Sequence, residues 1–244
     1  MSVHAARVIP QEVEPGLWVQ GFTSPLRLAD FKLVAFDMDS TLINIECIDE
    51  MADAAGRKAE VVAITEATMR GEITHFATSL RQRLALLEGV PVAALEAVYT
   101  QRLQLNPGVE SFVLACQAAG LKTLLVSGGF TFFSDRVQAR LKLDFARANV
   151  LQIEAGQLTG RLQPQPWGEV VDGAEKKRTL LEVAHLLGIT PAQTIAVGDG
   201  ANDLPMMGAA GLSIAFHAKP VVHAQAMLSI TEGGMDRALT VLRG

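Results

Sequence analysis

Three apolar runs in this chain break off abruptly into small or acidic residues: LVAFDMDST from Leu33, LLVSGGF from Leu124 and IAVGDGANDL from Ile195. Their unbroken apolar character is what a buried strand requires. Segments of helical spacing stand between and after them, near Val109–Ala119, Phe132–Leu141, Lys176–Leu187 and from Asp203 onward. Strands are expected at Lys32–Phe36, Lys122–Val126, Asn149–Glu154, Thr194–Val197, Leu212–Ala215 and Leu228–Ile230, with Gln157–Leu162 as the hairpin partner of the third. Strands alternating with helices indicate an α/β fold with a mostly parallel sheet.

The stretch between the first run and Asn106-Pro107-Gly108 has a different period. Ile48, Met51, Ala52 and Ala55 recur at i, i+3, i+4 and i+7, and Leu80, Leu84 and Leu87 repeat that spacing. Gly56, Gly71 and Gly89–Pro91 punctuate the block into four short helices. The expected organisation is an N-terminal extension over 1–31, an α/β core made of 32–45 and 106–244, and a small helical unit inserted at 46–105. The extension carries Pro10, Pro15, Gly16 and Pro25 and at most one short strand, near Leu17–Val19. A chain of 244 residues is long enough for one core with such an insertion.

In open α/β sheets, ligands bind beyond the carboxyl ends of the strands. That rule gathers Asp37, Asp39, Ser127, Asp199, Asn202 and Asp203 at one edge, although they are far apart in sequence. A Gly-Asp-Gly turn or an SGGF loop alone is usually only a turn; three such endings on one sheet carry more weight. Four clustered carboxylates repel one another unless a cation sits among them. Oxygen donors without sulfur or imidazole favour Mg2+, with Asp37 and Asp199 the best candidates for direct ligands. Ser127 offers a hydroxyl and a backbone N–H in a glycine-rich loop, which suits a phosphate oxygen. The positive charge for that phosphate is expected from Lys176, with Lys177 the close alternative.

Bulk properties remove several classes. Apolar residues make up 49% and charged residues 19%, a globular composition. The formal net charge of −5 argues against non-specific nucleic-acid binding and against docking on anionic membranes. No apolar stretch reaches the length of a membrane span. Cys47 and Cys116 have no metal-binding spacing, and no basic segment followed by an apolar run opens the chain, so a reduced, cytoplasmic setting is expected.

The order DMDST, SGGF, lysine, GDGANDLPM resembles the haloacid dehalogenase-type phosphohydrolases. The insertion with ECIDEMA, MRGE and SLRQR is similar to the helical cap of the branch that dephosphorylates phosphoserine. The likeness covers roughly residues 33–230. It implies a Rossmann-like three-layer αβα core with an inserted helical cap, and Mg2+-dependent hydrolysis of O-phospho-L-serine through an aspartyl-phosphate. Asp37 would be the nucleophile. Asp39 would protonate the leaving serine oxygen and then take a proton from the hydrolytic water; residues two apart in an extended segment point the same way. Mg2+ would be held by the Asp37 and Asp199 carboxylates and the Asp39 carbonyl, with Thr41 and Asp203 supporting from behind. Ser127, Gly128, Lys176 and Asn202 would contact the phosphate end. Glu46 would pair with the substrate ammonium, and Arg83 would take its carboxylate, with Arg81 the nearest competitor. Met69 and Phe76 would supply the apolar lining.

Other readings are a related phosphohydrolase or a phosphotransferase to homoserine. A regulatory module that is phosphorylated without turnover is a third, which the second aspartate and the cap speak against. The expected partner is a small phosphomonoester, with no nucleic acid or membrane, and the expected state a monomer or homodimer. No N-terminal amino-acid-sensing domain is expected from the 31 residues before the first core strand.

Overall fold

The computed structural model describes residues 9–69, 72–168 and 170–243. In chain order, β1 (Gln11–Glu14), β2 (Leu17–Val19), β3 (Leu26–Arg27) and β4 (Leu33–Phe36) come first. Helices α1 (Cys47–Ala54), α2 (Lys58–Met69), α3 (Phe76–Ala85) and α4 (Val92–Gln101) follow. Then come α5 (Val109–Ala118), β5 (Lys122–Phe130), α6 (Thr131–Leu141), β6 (Phe145–Asn149) and the hairpin β7 (Leu151–Glu154) and β8 (Gln157–Leu162). The chain ends with α7 (Gly173–Leu186), β9 (Thr194–Gly198), α8 (Leu204–Met207), β10 (Leu212–Phe216), α9 (Pro220–His223), β11 (Leu228–Ile230) and β12 (Leu242–Arg243).

The main sheet has the order β1-β2-β11-β10-β9-β4-β5-β6. From β11 to β6 neighbouring strands are parallel, whereas β2 lies antiparallel to β11 and β1 antiparallel to β2. Strand β4 shows why LVAF is uniformly apolar. Val34 and Phe36 enter one hydrophobic cluster, Leu33 and Ala35 the other. Helices α5 and α6 cover the first face through Phe112, Val113, Phe133 and Val137. Helices α7 and α8 cover the second through Leu180, Val183, Met206 and Met207. The result is three layers, αβα.

Strand succession runs outward from β4 to β5 and β6 on one side, then resumes at β9, β10 and β11 on the other. The reversal falls between β4 and β9, where such sheets open a crevice. The three motif-bearing strands, β9, β4 and β5, are therefore immediate neighbours, paired so that Phe36 lies beside Val197 and Leu125. Among the described residues, the four helices α1 to α4 occupy the stretch between β4 and α5. Their apolar faces, including Met51, Val61, Leu80, Leu84, Leu95 and Val98, join the same buried cluster as α5 and α6.

Three expectations need correction. The N-terminal segment supplies two strands to the main sheet, β1 as well as β2. A strand absent from the sequence reading, β6, forms the far edge, while Leu151–Glu154 belongs to the separate hairpin. Arg147 explains why β6 lacks an apolar pattern: on this half-exposed strand it pairs with Glu175 and Glu182 of α7. Strand β5 also runs beyond Val126 through the two glycines to Phe130, with its register against β6 shifting between Val126 and Phe130. Among the described residues, no helix is long and apolar enough to cross a membrane.

Candidate active site

Beyond Phe36 the chain stays extended at Asp37 and Asp39 but turns left-handed at Ser40 (φ 57°). Met38 between the aspartates is fully buried, so alternation sends it into the core while both aspartates line a cavity of about 370 Å3. A non-glycine residue with positive φ is strained and persists only where its surroundings fix it. Ser40 meets that condition. Its N–H donates to the Ile45 carbonyl at 3.2 Å and its hydroxyl to Glu46 Oε1 at 2.7 Å. The Asn106 side-chain amide donates to the carbonyls of Ser40, Thr41 and Ile43 at 3.2, 2.9 and 2.9 Å, clamping the whole turn.

Lys176 lies fully buried beneath the cavity, its Nζ 2.6 Å from Asp37 Oδ1 and 2.7 Å from Asp203 Oδ1. Burial alone would lower its pKa, but the two carboxylates raise it above the usual lysine range. It stays charged. Lys177, the alternative, is exposed on α7. Asp203 is further engaged, because its second oxygen accepts the N–H groups of Asp199 and Gly200 at 3.2 and 3.0 Å. The same carboxyl explains Gly198: a Cβ there would stand 2.5 Å from Asp203 Oδ2. Thr41 is fully buried and donates to Asp199 Oδ1 at 3.1 Å.

Among the described residues, Asp37, Asp199 and Asp203 bring carboxylate oxygens within 4.8 Å of one another. Burial, with the Asp203 charge beside it, raises Asp37 well above the usual carboxylate range against the pull of Lys176. Burial and then Asp203 push Asp199 up to about 6. Hard oxygen donors whose ionisation is opposed by burial and by each other fit a divalent cation, which would remove both penalties. Asp203 is the most heavily hydrogen-bonded of the three, holding the Lys176 ammonium and two backbone N–H groups.

Asp39 is divided between two tasks. Its Oδ2 accepts the Cys47 N–H, at the start of α1, at 3.0 Å, while Oδ1 is buried without a partner among the described residues. Burial and then the Glu46 charge push the carboxyl up to about 7, against the Cys47 amide. Such a group holds or releases a proton near neutrality. On β5, Ser127 is buried and its Oγ accepts the Gly129 N–H at 2.9 Å, which leaves the hydroxyl hydrogen to point elsewhere. Gly128 has no room for a side chain, since a Cβ would meet Phe76 Cζ at 2.9 Å and the Val171 carbonyl at 3.2 Å.

The same cavity is lined by Glu46, Phe76, Arg83, Ser127, Gly128, Asp199 and Asn202. The structure brings these residues together from β5, the segment after β9, the residue preceding α1, and α3. The Met69 side chain lies outside the described residues. Phe76 is half-buried over Gly128, whereas His75 is exposed. Arg83 is half-buried, its Nε donating to the Ser79 carbonyl at 3.4 Å. Arg81 is exposed and lines a different groove with Arg161.

Sequence reasoning missed Asp49, Leu80 and Lys219, which also line the cavity. Asp49 stands in the first turn of α1, three residues after Glu46, which precedes that helix in extended conformation. Lys219 stands three residues past the end of β10, and its N–H donates to the Asp199 carbonyl at 3.0 Å.

A family model described as haloacid dehalogenase-like hydrolase matches residues 34–208. The chain is 64% identical over 234 residues to a phosphoserine phosphatase of Albidiferax ferrireducens, covering 96% of this chain and 99% of that protein. A phosphoserine phosphatase of a Polaromonas species is 63% identical with the same coverage. Among solved structures, a phospho-aspartyl intermediate analogue of phosphoserine phosphatase is similar, with 38% identity and a TM-score of 0.79. The likeness covers 87% of this chain and 99% of that one.

Proposed function

The chain belongs to the haloacid dehalogenase-like hydrolase family, and from that premise we propose that it is a Mg2+-dependent phosphoserine phosphatase. It hydrolyses O-phospho-L-serine to L-serine and phosphate, the last step of serine biosynthesis. The observation that carries this reading is that one cavity holds two sets of groups. Asp37, Asp39 and Ser127 stand at the sheet edge, and Glu46 and Arg83 face them from the inserted helices. The first set suits a phosphate ester; the second suits an ammonium and a carboxylate.

Asp37 attacks phosphorus. Lys176 and the ion-paired Oδ1 leave Oδ2 as the attacking atom, and a bond from that oxygen to phosphorus forms as the bond to the serine oxygen breaks. Asp39 carries the proton on its unpartnered Oδ1 and gives it to the departing serine oxygen. In the second half, the same oxygen takes a proton from the water that attacks the aspartyl-phosphate. Phosphate leaves and both carboxyls return to their starting states. Lys176 has three N–H donors and spends two on Asp37 and Asp203, so the third is available to a phosphoryl oxygen. The Ser127 hydroxyl and Asn202 hold the other oxygens. A bound Mg2+, held by the Asp37 and Asp199 carboxylates and the Asp39 carbonyl, supplies charge neutralisation for the phosphoryl group.

Residues 46–105 act on this reading as a cap over a core made of 32–45 and 106–244. Glu46 takes the ammonium, Arg83 takes the carboxylate bidentately, and Phe76 and Met69 form the apolar wall. Two buried free cysteines support a reducing, cytoplasmic setting, and the net charge of −5 supports a small-molecule partner over nucleic acid or membrane. The chain works as a monomer or homodimer. The deciding experiment is phosphate release from phosphoserine, phosphothreonine and simple sugar phosphates, with Mg2+ and with EDTA. Preference for phosphoserine and loss of turnover in EDTA are expected; a sugar phosphate as the best substrate would overturn the assignment.

A further inference from the structure

Asp37, Asp39, Glu46, Asp49 and Asp199 all line the cavity, and only Asp49 has no task in the reaction above. It lies in the first turn of α1, three residues after Glu46, the extended residue that precedes that helix. Its Oδ1 is buried and, among the described residues, has no hydrogen-bond partner. An orphaned buried acceptor is costly and persists where a partner arrives during function. Lining a ligand cavity, it faces a place from which such a partner comes.

Arg83 lines the same cavity and carries the donors such an acceptor needs. Burial raises the Asp49 carboxyl, and Arg83 is the leading charge that opposes the rise. Reciprocally, burial lowers Arg83, and Asp49 leads the carboxylates that oppose this, ahead of Glu46 and Asp39. The Nε of Arg83 is spent on the Ser79 carbonyl within its own helix, α3, so a further partner meets Nη1 or Nη2. A guanidinium is planar, with donors along two edges, and can sit between two carboxylates at once.

We propose that Asp49 positions Arg83. When the substrate carboxylate enters, one edge of the guanidinium takes it while Asp49 Oδ1 accepts from the adjoining Nη. The plane is then fixed between α1 and α3, and the orphaned oxygen is satisfied only in the bound state. This rests on the reading of Arg83 as the partner of the substrate carboxylate. It assigns Asp49 to selection of phosphoesters that carry a carboxylate.

The test uses three ligands: O-phosphoserine, 3-hydroxypropanoate phosphate, which lacks the ammonium, and phosphoethanolamine, which lacks the carboxylate. Where turnover is slow they serve as competitive inhibitors of aryl phosphate hydrolysis. Asp49→Asn is expected to weaken both carboxylate-bearing ligands by roughly 10-fold, mainly in KM or Ki, and to leave phosphoethanolamine unchanged. In an Arg83→Ala background the Asp49→Asn change should add nothing. A loss that follows the ammonium instead would hand Asp49 to that group and overturn the proposal. Equal losses on all three ligands, or no loss on any, would do the same. Failure of the underlying reading looks different: Arg83→Ala alone, with Asp49 intact, would then not distinguish ligands with a carboxylate from those without.

Discussion

Lys176 is a single ammonium shared by two buried carboxylates, and its removal would be felt in stability as well as rate. Lys176→Met keeps most of the side-chain length but leaves Asp37 and Asp203 as uncompensated buried charges. Breaking such a pair from one side costs about 3–5 kcal/mol, so chemical denaturation should show a loss of that order together with loss of turnover. A rate defect with unchanged stability would mean that the ion pairs do not hold the native state. Asp39 gives a second expectation. Its carboxyl titrates at about 7 and must be protonated to act as an acid, so kcat/KM for phosphoserine should fall as pH rises through that region. An aryl phosphate, whose leaving group needs no proton, should lack this limb. Asp39→Asn with that substrate should accumulate phosphoenzyme, because water has lost its base; intact mass would detect it. Label on any residue but Asp37 would refute the nucleophile assignment.

At the scale of elements, much of the site was legible because strand ends carry it. LVAF, LLV and IAV are unbroken apolar runs, and a sheet of adjacent parallel strands brings their ends together whatever their separation in sequence. What the sequence did not reveal is how the turn after β4 is held. Asn106 reads as part of an Asn-Pro-Gly hinge, yet its amide gathers three carbonyls from a loop more than sixty residues earlier. A side-chain to backbone contact of that range leaves no periodic trace. Strand β6 was missed for a related reason, since an edge strand that pairs through Arg147 has no need of alternating apolar residues. The Lys176 and Lys177 alternatives also needed three dimensions, because only helix phase decides which one turns under the sheet. Asn106→Ala should release the left-handed Ser40 turn. A stability loss of about 1–3 kcal/mol is expected from the unsatisfied carbonyls. The fall in kcat should be larger than that loss of folded protein explains, as Asp37 and Asp39 lose their common orientation. Unchanged kcat in the folded variant would show that the turn is held without the clamp.

For the whole molecule, the site is a concentration of negative charge that the fold tolerates only with cations. Lys176 supplies one of them permanently, and a metal is expected to supply the rest. The consequence for stability follows from the sign of the shifts. Asp199 and Asp39 have folded-state pKa values of about 6 and about 7, raised from the ordinary 3.8. In the metal-free protein their stabilising contribution is therefore fully present below about pH 4 and is lost as pH rises through 6 and 7. Metal binding runs the other way, because its ligands must be deprotonated. The rise in Tm on adding Mg2+ should accordingly be small at pH 5 and grow between pH 5.5 and 8. At a hundredfold excess over Kd the stabilisation is about 2.7 kcal/mol, which for a chain of this size corresponds to roughly 5–10 °C. Asp199→Asn removes one ligand and much of the repulsion together. It should raise the Tm of the metal-free protein at pH 8 and abolish the response to Mg2+. Thermal unfolding of both proteins across that pH range, in EDTA and in Mg2+, measures both effects. A Mg2+ response of equal size at pH 5 and pH 8 would show that the cation binds somewhere other than these buried carboxylates.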